Sequence, residues 1–301
     1  MDLQQHSRES NAPHPVRFGL KLGGQDTTID ELRAVWRIAD TARFDHVWVF
    51  DHFASIGQGG PNRPVFEAWA LQAAMAEATR HVRVGCMVTG NTYRHPVVLA
   101  KTAVTVDHLS GGRLEFGIGA AWADAEHRMY GIEGLEHRVG RLSESLQIIR
   151  SLWTQERTNF AGRYYQLSQA IANPKPIQQP HPPIWIGASG DLTLRLVARH
   201  ADVWNAAGGA GGERFSRLTA QLDAHCAAIG RDPRAIRRSI QYSWNGQSRP
   251  ELLEMAATSL EQGCTEHIIL LPAGRAERTA ASAAEALTDL RKIGAPALSN
   301  P

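Results

Sequence analysis

The sequence has little cysteine, no long apolar run and almost no net charge, and each of these absences excludes a class of protein. Its three cysteines, Cys86, Cys226 and Cys264, lie far apart, which fits a reducing cytoplasm and argues against a disulfide framework. No stretch approaches the roughly 18 apolar residues of a membrane span. The net charge of +2 is spread along the chain, so neither a nucleic acid nor an anionic membrane is indicated as a partner.

Several catalytic signatures are also missing. Thirteen histidines occur, but no pair shows the helical spacing of a metal site with a partnered carboxylate, so we predict no bound metal. There is no Gly-x-Ser-x-Gly elbow for nucleophilic hydrolysis. The glycines at 117 and 119 do not complete a dinucleotide fingerprint, because Trp122 stands where the third glycine is needed.

Strand-like and helix-like patterns alternate from end to end, which predicts an α/β protein. The predicted strands are 16–22, 47–50, 82–88, 114–118, 183–187, 202–205, 237–242 and 267–271. Eight evenly spaced strand–helix units favour a (β/α)8 TIM barrel over a doubly wound sheet. We predict a disordered leader over 1–15 without a signal peptide. A single domain is predicted over 16–292, with an insertion between strands four and five, and a flexible tail over 293–301.

In such a barrel the active site lies at the carboxyl ends of the strands. Asp51 and His52 follow the second strand, and histidine is the side chain best suited to proton transfer near neutral pH. Gly117 and Gly119 remove side chains from the end of the fourth strand, where a flat ligand can lie against the backbone. The alternatives are a loop that Asp51 caps beside a packed histidine, and glycines that only permit close packing.

The segment 187–190, Gly-Ala-Ser-Gly, joins the fifth strand to its helix. Small residues expose backbone N–H groups there, Ser189 can cap the helix, and the helix dipole favours an anion. This pattern predicts a phosphate site, with an ordinary capped helix start as the alternative. Trp122 and Trp204 are candidate walls for an aromatic ligand, although large aromatic residues are also common in cores.

Taken together, these residues resemble the bacterial luciferase-like superfamily of flavin and deazaflavin oxidoreductases, and most closely its subgroup that uses coenzyme F420. The likeness covers about residues 16–205 well and the rest loosely. It is carried by the segments VWVFDHF (47–53), TYRHP (92–96), LAK (99–101), LSGGRL (109–114), GIGAAW (117–122), AEHR (125–128), PIWIGASG (183–190) and ADVWN (201–205).

The resemblance implies a TIM barrel, usually a homodimer, that holds a planar ring at its mouth. By this likeness Asp51 holds the cofactor and His52 is the acid or base beside the hydride-transfer carbon. Cys86–Met87 matches a bulged, often cis, peptide behind the ring, and Thr89 matches a ring contact. The complete set of predicted cofactor-binding residues is Asp51, Cys86, Met87, Thr89, Gly119, Ala120, Gly187, Ala188, Ser189 and Gly190.

Departures from the family pattern bear on the substrate. Relatives that oxidise glucose 6-phosphate carry a catalytic Glu where this chain has Trp122, and a Trp where it has Ile56. Their phosphate-binding Lys has no counterpart in the loop 206–212. We therefore predict hydride transfer between F420 and a small organic substrate other than a sugar phosphate, with Trp122, Trp204 and Ile56 lining the substrate pocket.

Two alternatives remain open at this stage. The same fold can use reduced FMN with oxygen as a monooxygenase, and a flavin reductase would then be a partner. The second alternative is a flavin-binding protein without turnover, against which a proton donor such as His52 argues. In each case the predicted partner is a small molecule, the predicted assembly a homodimer, and the predicted compartment the cytoplasm.

Overall fold

Parallel strands close into an eight-stranded barrel in the computed structural model, which describes residues 14–57, 59–206, 212–244 and 248–294. The strands are β1 Arg17–Lys21, β2 His46–Val49, β3 Arg83–Cys86, β4 Thr89–Gly90, β5 Leu114–Gly119, β6 Thr158–Ala161, β7 Gln166–Ala170, β8 Ile184–Ala188, β9 Val203–Ala206, β10 Arg237–Ser243 and β11 Glu266–Leu270. The helices are α1 Ile29–Thr41, α2 Ala68–Ala78, α3 Pro96–Leu109, α4 Asp124–Tyr130, α5 Arg138–Thr154, α6 Asp191–His200, α7 Gly212–Ala228, α8 Arg249–Glu261 and α9 Ala276–Ile293.

The order of the strands confirms the predicted TIM barrel. Neighbouring strands pair in the order β3–β2–β1–β11–β10–β9–β8–β5, and a pairing between β5 and β3 closes the ring. The short strand β4 follows β3 and also pairs with β5. Each of the predicted barrel strands is present. The helix α4 and the antiparallel hairpin β6–β7 lie in the chain between the fourth and fifth barrel strands, where the insertion was predicted.

The predicted end segments are only partly covered by the structure. Residues 1–13 of the predicted leader and 295–301 of the predicted tail lie outside the described residues, and α9 runs to Ile293. The domain bounds 16–292 stay a prediction. Within the described ranges, no helix combines the length and the apolar composition that crossing a bilayer requires.

Charged side chains fill the amino-terminal end of the barrel interior. The carboxylate of Glu266 accepts a hydrogen bond from Nε2 of His46 at 2.9 Å and pairs with the guanidinium of Arg237. On the opposite side, Glu115 pairs with Arg83 and accepts the indole N–H of a tryptophan on β8. Both carboxylates are almost completely buried, and buried charges are tolerated because they are paired and hydrogen-bonded.

An apolar layer lies above these charges. The side chains of one buried cluster come from five different strands or their ends, namely Trp48, Met87, Trp185, Val203 and Ile268. The rings of Trp48 and Trp185 meet edge to face, with their centroids 4.7 Å apart. This layer closes the barrel and separates the charged end from the opposite end, where the strands finish. A ligand at the mouth therefore lies on a packed floor and not above an open pore.

We predict that Glu266→Gln lowers the free energy of unfolding at pH 7 by about 3 kcal/mol, because the largely buried Arg237 is left without its carboxylate. Burial raises the pKa of Glu266, but His46, Arg237 and Arg17 outweigh it and the net pKa is lowered. The contribution of this carboxylate is therefore complete above the ordinary glutamate pKa and is lost in acid. Urea unfolding measures the effect. Glu254→Gln, at an exposed position of α8, is the control, and equal losses in both variants would contradict the prediction.

Candidate active site

His52 lies at the carboxyl end of the barrel, just beyond β2. Because β2 ends at Val49, the chain has left the sheet before Asp51 and His52, so strand alternation no longer fixes their directions. The imidazole of His52 meets Phe50 and Trp122 edge to face, with ring centroids 5.3 Å and 5.5 Å away. Its side chain is 11% exposed. Aromatic neighbours therefore limit the access of water to the ring without closing it off.

A buried carboxylate on α4, Glu126, holds His52 in position. Its Oε2 lies 3.0 Å from Nδ1 of His52 and also accepts the hydroxyl hydrogen bond of Tyr93. Its Oε1 accepts the backbone N–H groups of Phe53 and, at 2.9 Å, Ala54. Glu126 belongs to the family segment AEHR (125–128), but no role was predicted for it from the sequence. Since 74 residues separate it from His52, the spacing along the chain carries no signal of their contact.

The charge of Glu126 fixes the protonation pattern of His52. Burial raises the pKa of Glu126, but hydrogen bonds from His52, Tyr93 and the two backbone N–H groups outweigh burial and lower the pKa to about 2. A charged acceptor beside Nδ1 requires this nitrogen to carry a proton, so Nε2 is the acceptor of the neutral ring. Within the described residues, Nε2 has no hydrogen-bond partner. The ring can therefore exchange a proton with a molecule bound at the mouth.

Asp51 forms an ion pair inside the protein. Its carboxylate is 1% exposed and receives two hydrogen bonds from Arg94, at 2.6 Å and 3.1 Å. The same guanidinium pairs with Glu67, the cap residue of α2. Burial raises the pKa of Asp51, while the charge and hydrogen bonds of Arg94 act in the opposite direction. The structure thus gives Asp51 a partner of its own, and its contact with the cofactor stays a prediction.

Three further predicted cofactor residues lie in the barrel wall or in the apolar layer inside it. Oγ1 of Thr89 accepts the indole N–H of Trp69 at 3.0 Å, and Thr89 is completely buried. Cys86 is also buried, and burial raises the pKa of its thiol well above the ordinary range. The side chain of Met87 belongs to the apolar layer described above. A direct ring contact by any of these three side chains stays a prediction.

Val88 forms the platform at the mouth, a role that the sequence analysis missed. The cis peptide joins Met87 to Val88, one residue later than the predicted Cys86–Met87. A Cβ added to Gly119 would lie 2.8 Å from Cγ2 of Val88, and one added to Gly187 would lie 3.0 Å from it. Glycine at both strand ends therefore leaves room for the half-buried side chain of Val88, which forms a small apolar surface there.

The amino-terminal end of α6 is open to solvent, as a phosphate site requires, but its cap differs from the prediction. Gly190 and not Ser189 is the cap residue, and its N–H group donates to Oγ1 of Thr193 at 3.3 Å. Both residues of the pair 189–190 are exposed. A Cβ added to Gly190 would have its nearest neighbour 3.7 Å away. The carboxylate of Asp191 is turned towards His225 of α7, 2.9 Å away.

The structure brings two of the three predicted pocket residues to the surface near His52. Trp122 is 61% exposed and Ile56, in the loop after His52, is 45% exposed. Trp204, by contrast, is completely buried, stacks on Phe215 of α7 with ring centroids 5.4 Å apart, and donates its N–H to the carbonyl of Ala188. It lies behind the barrel wall because β9 turns this side chain outwards. Residues 207–211 of the predicted glycine-rich loop lie outside the described residues.

The mouth suits a planar ring with polar edges and an anionic tail. Val88 offers an apolar surface, and the exposed amino-terminal end of α6 presents the backbone N–H groups of a first helical turn. Asn91 follows β4 and is buried, and within the described residues neither atom of its side-chain amide has a hydrogen-bond partner. Its backbone N–H group donates to the carbonyl of Gly119 at 2.9 Å. A buried amide in this state is completed by a bound molecule or by water.

A TIM barrel with a carboxylate-held histidine at a glycine-lined mouth is compatible with the oxidoreductases that bind flavin-like cofactors. Residues 11–296 match the family of luciferase-like monooxygenases, and the chain belongs to this family. The resemblance stated from the sequence is thereby confirmed.

Curated relatives and a solved structure agree with this assignment. The chain is 36% identical to an F420-dependent glucose-6-phosphate dehydrogenase of Amycolatopsis mediterranei over 59% of its own length and 53% of the relative. It is 30% identical to the protein of the same name from Segniliparus rotundus, over 75% and 68%. The chain thus spans between about half and two thirds of these relatives.

An F420-dependent secondary alcohol dehydrogenase in complex with an F420-acetone adduct has the same fold, with a TM-score of 0.81 at 17% identity over 92% of this chain and 99% of that one. The names of these proteins agree with the predicted cofactor.

We predict that Glu126→Gln, which keeps the shape of the side chain and removes its charge, destabilises the protein by about 3 kcal/mol at pH 7. The ordinary pKa of 4.5 is lowered to about 2 in the folded protein. The variant therefore shows its full loss in free energy of unfolding above the ordinary pKa, and its difference from the wild type shrinks as the pH falls towards 2. Urea unfolding between pH 7 and pH 3 tests this. Glu136→Gln, at an exposed position of the same insertion, is the control, and a difference independent of pH would refute the prediction.

Proposed function

We propose that this protein is an F420-dependent oxidoreductase that transfers a hydride between the cofactor and a small organic substrate, with His52 moving the accompanying proton. The observation that carries this proposal is the pair of His52 and Glu126, in which Nδ1 lies 3.0 Å from a buried carboxylate and Nε2 has no partner in the described part of the chain. A protein that only stores or carries a flavin has no need of such a proton donor.

The residues at the mouth divide the work between binding and proton transfer. Bound F420 supplies the carbon, C5 of its deazaflavin ring, that exchanges the hydride with the substrate. When an alcohol is oxidised, Nε2 of His52 accepts the hydroxyl proton as the carbonyl forms. When a carbonyl compound is reduced, the protonated ring returns that proton to the substrate oxygen. Glu126 stays charged in both directions and holds the ring in the same orientation.

The platform and the start of α6 are the parts that would hold the cofactor. Val88, which covers Gly119 and Gly187, would support the ring, and the amide of Asn91 would bind a polar edge of it. The exposed backbone at Ser189–Gly190 would bind the tail phosphate through the positive end of the helix dipole. Asp51 would hold the cofactor, as the resemblance implies, with its carboxylate oriented by Arg94. A homodimer, and a flavin reductase in the case of FMN, stay predictions from the resemblance.

The rim around His52 favours a small substrate with an apolar part next to the reacting carbon. Trp122 meets the imidazole directly at 5.5 Å, and together with Ile56 it presents exposed apolar surface next to the proton donor. The curated relatives are named for a sugar phosphate, but this chain has Trp122 where the resemblance places the catalytic Glu of such enzymes. We therefore propose secondary alcohols, or carbonyl and unsaturated compounds, as the substrate class.

We predict that His52→Ala slows hydride transfer by about 10²–10⁴-fold while F420 still binds, because the substrate proton loses its acceptor. A panel of secondary alcohols is mixed with the F420-loaded protein, and the reduction of the cofactor is followed by its absorbance. The control is His137→Ala, at an exposed position of the insertion, which should react as the wild type does. Equal rates in His52→Ala and in the wild type would remove His52 from the mechanism.

We predict that the apo-protein binds F420 more tightly than FMN, and that Gly190→Asp weakens F420 binding about tenfold relative to Gly190→Asn. The two variants have nearly the same shape, both residues are good helix caps, and the space around Gly190 is open, so the added charge is what distinguishes them. Fluorescence titrations at matched ionic strength measure both effects. Tighter FMN binding would favour the oxygen-using monooxygenase, and binding of neither cofactor would refute the proposed function. Equal F420 affinity in the two variants would remove the phosphate site at α6.

A further inference from the structure

A chain of polar side chains lines the mouth on the side away from Val88. Nζ of Lys21, at the end of β1, donates to Oε1 of Gln241 on β10 at 2.7 Å. The amide of Gln241 donates to Oδ1 of Asn205 on β9 at 2.7 Å, and Asn205 donates to the hydroxyl of Ser239 at 3.1 Å. Each donor points to the next acceptor, so the orientations of both amides are fixed. The chain thus holds the ammonium group of Lys21 in one position.

These side chains face the barrel interior. Their sequence neighbours Leu20, Trp204 and Ile240 belong to the core between the barrel and its helices, and successive residues of a strand point to opposite faces. Lys21 and Gln241 lie near the ends of their strands, above the apolar layer. In the ring of strands, the arc from β1 through β11 and β10 to β9 faces the arc that carries the glycines and Val88. A molecule at the mouth would therefore lie between the platform and the ammonium group.

The positive charge of Lys21 has no counterion within the described residues. Nζ makes one hydrogen bond there, to the neutral amide of Gln241, whereas an ammonium group has three donors. The ring of Phe50 lies beneath it, with its centroid 5.9 Å away. An amide positions the ammonium group without neutralising it, and a buried cation without an anion is costly. The remaining donors are therefore available to a ligand.

The pKa of Lys21 is consistent with a charged ammonium group that can bind a ligand. Burial lowers the pKa of Lys21 to about 8, and Cys86 acts weakly in the opposite direction. The other residues packed against it, Trp48 of β2, Phe50 beyond β2, Leu270 of β11 and Gln241 of β10, do not titrate. The titratable ring of His52 lies beyond Phe50, with the two ring centroids 5.3 Å apart. The thiol of Cys86 stays neutral because burial raises its pKa. Most molecules thus carry the charge at pH 7.

We propose that Lys21, positioned by Gln241 and Asn205, binds an anionic or strongly accepting oxygen of the molecule held at the barrel mouth. This inference deepens the proposed function and rests on it. The oxygen can belong to the cofactor ring or to the substrate, because both would lie between the platform and the ammonium group. His52 and Lys21 would then have separate tasks, since His52 exchanges a proton and Lys21 supplies a fixed charge.

Three variants test this role of Lys21. Lys21→Met removes the charge and keeps the length of the side chain. Gln241→Glu leaves Lys21 in place but gives it a carboxylate partner that competes with the ligand. Lys292→Met, at an exposed position of α9, is the control. Replacing a buried, unpaired charge by an apolar side chain does not destabilise a protein strongly, and thermal unfolding of each variant verifies that it is folded.

Binding is measured in two arms, by fluorescence, between pH 6 and pH 9.5. In the first arm F420 is titrated into the apo-protein, and in the second pyruvate or acetone is titrated into the F420-loaded protein. If the oxygen belongs to the cofactor, Lys21→Met and Gln241→Glu weaken F420 binding about ten- to hundredfold. If it belongs to the substrate, both variants bind F420 normally but lose the preference of the wild type for pyruvate over acetone. In either case wild-type affinity falls as the pH rises past about 8, because Lys21 loses its proton, and Lys21→Met lacks this decline.

Unchanged binding of F420 and pyruvate in both variants, at every pH, would overturn the inference. Failure of the proposed function has a different signature, because the wild type would then bind neither F420 nor FMN. In that event, calorimetry of pyruvate binding to the apo-protein would test whether Lys21 binds an anionic oxygen. Binding that Lys21→Met abolishes would support the charge-binding role, and no binding to the wild type would overturn it.

Discussion

The buried carboxylate of Glu126 is the contact on which the rest of the site depends. It joins the insertion after the fourth barrel strand to the loop after the second, through His52 on one oxygen and two backbone N–H groups on the other. These hydrogen bonds outweigh the cost of burial and keep the carboxylate charged. The charge in turn decides which nitrogen of His52 carries a proton and which one faces the mouth. Glu126 thus determines both the shape of the loop after β2 and the nitrogen of His52 that can exchange a proton.

The barrel interior holds paired buried charges at one end, and at the other end it holds polar groups without a charged partner beside the paired Asp51 and Glu126. At the amino-terminal end, the carboxylates of Glu115 and Glu266 are paired with arginines and hydrogen-bonded on several sides. At the carboxyl end, Lys21 is held by a neutral amide, and Asn91 has no partner in the described ranges. The tryptophan layer separates these regions. Paired charges stabilise the fold, whereas unpaired polar groups at the mouth are suited to a ligand.

The sequence predicted the barrel, its strand order and the position of His52, but several local statements failed. Gly190 and not Ser189 caps α6, because the cap depends on where the chain first turns helical, and either small residue is compatible with that turn. Trp204 was expected at the mouth but is buried against α7. Side chains alternate between the two faces of β9, and because Asn205 points into the barrel, Trp204 points outwards. The cis peptide lies one residue beyond the predicted pair.

Alternating apolar and polar residues, glycines at strand ends and a family-like order of motifs were enough to determine the fold class and to place a histidine at the mouth. The patterns within each strand, turn and motif are local, since each depends on residues within a few positions of one another, and the order of the motifs is read directly along the chain. The partners of the functional groups were decided only by the tertiary structure. Glu126 reaches His52 across 74 residues and Gln241 reaches Lys21 across 220, and closure of the barrel brings each pair together. Contacts between residues so distant in the chain leave no periodic trace in a single sequence, because each partner is specified by its position in space.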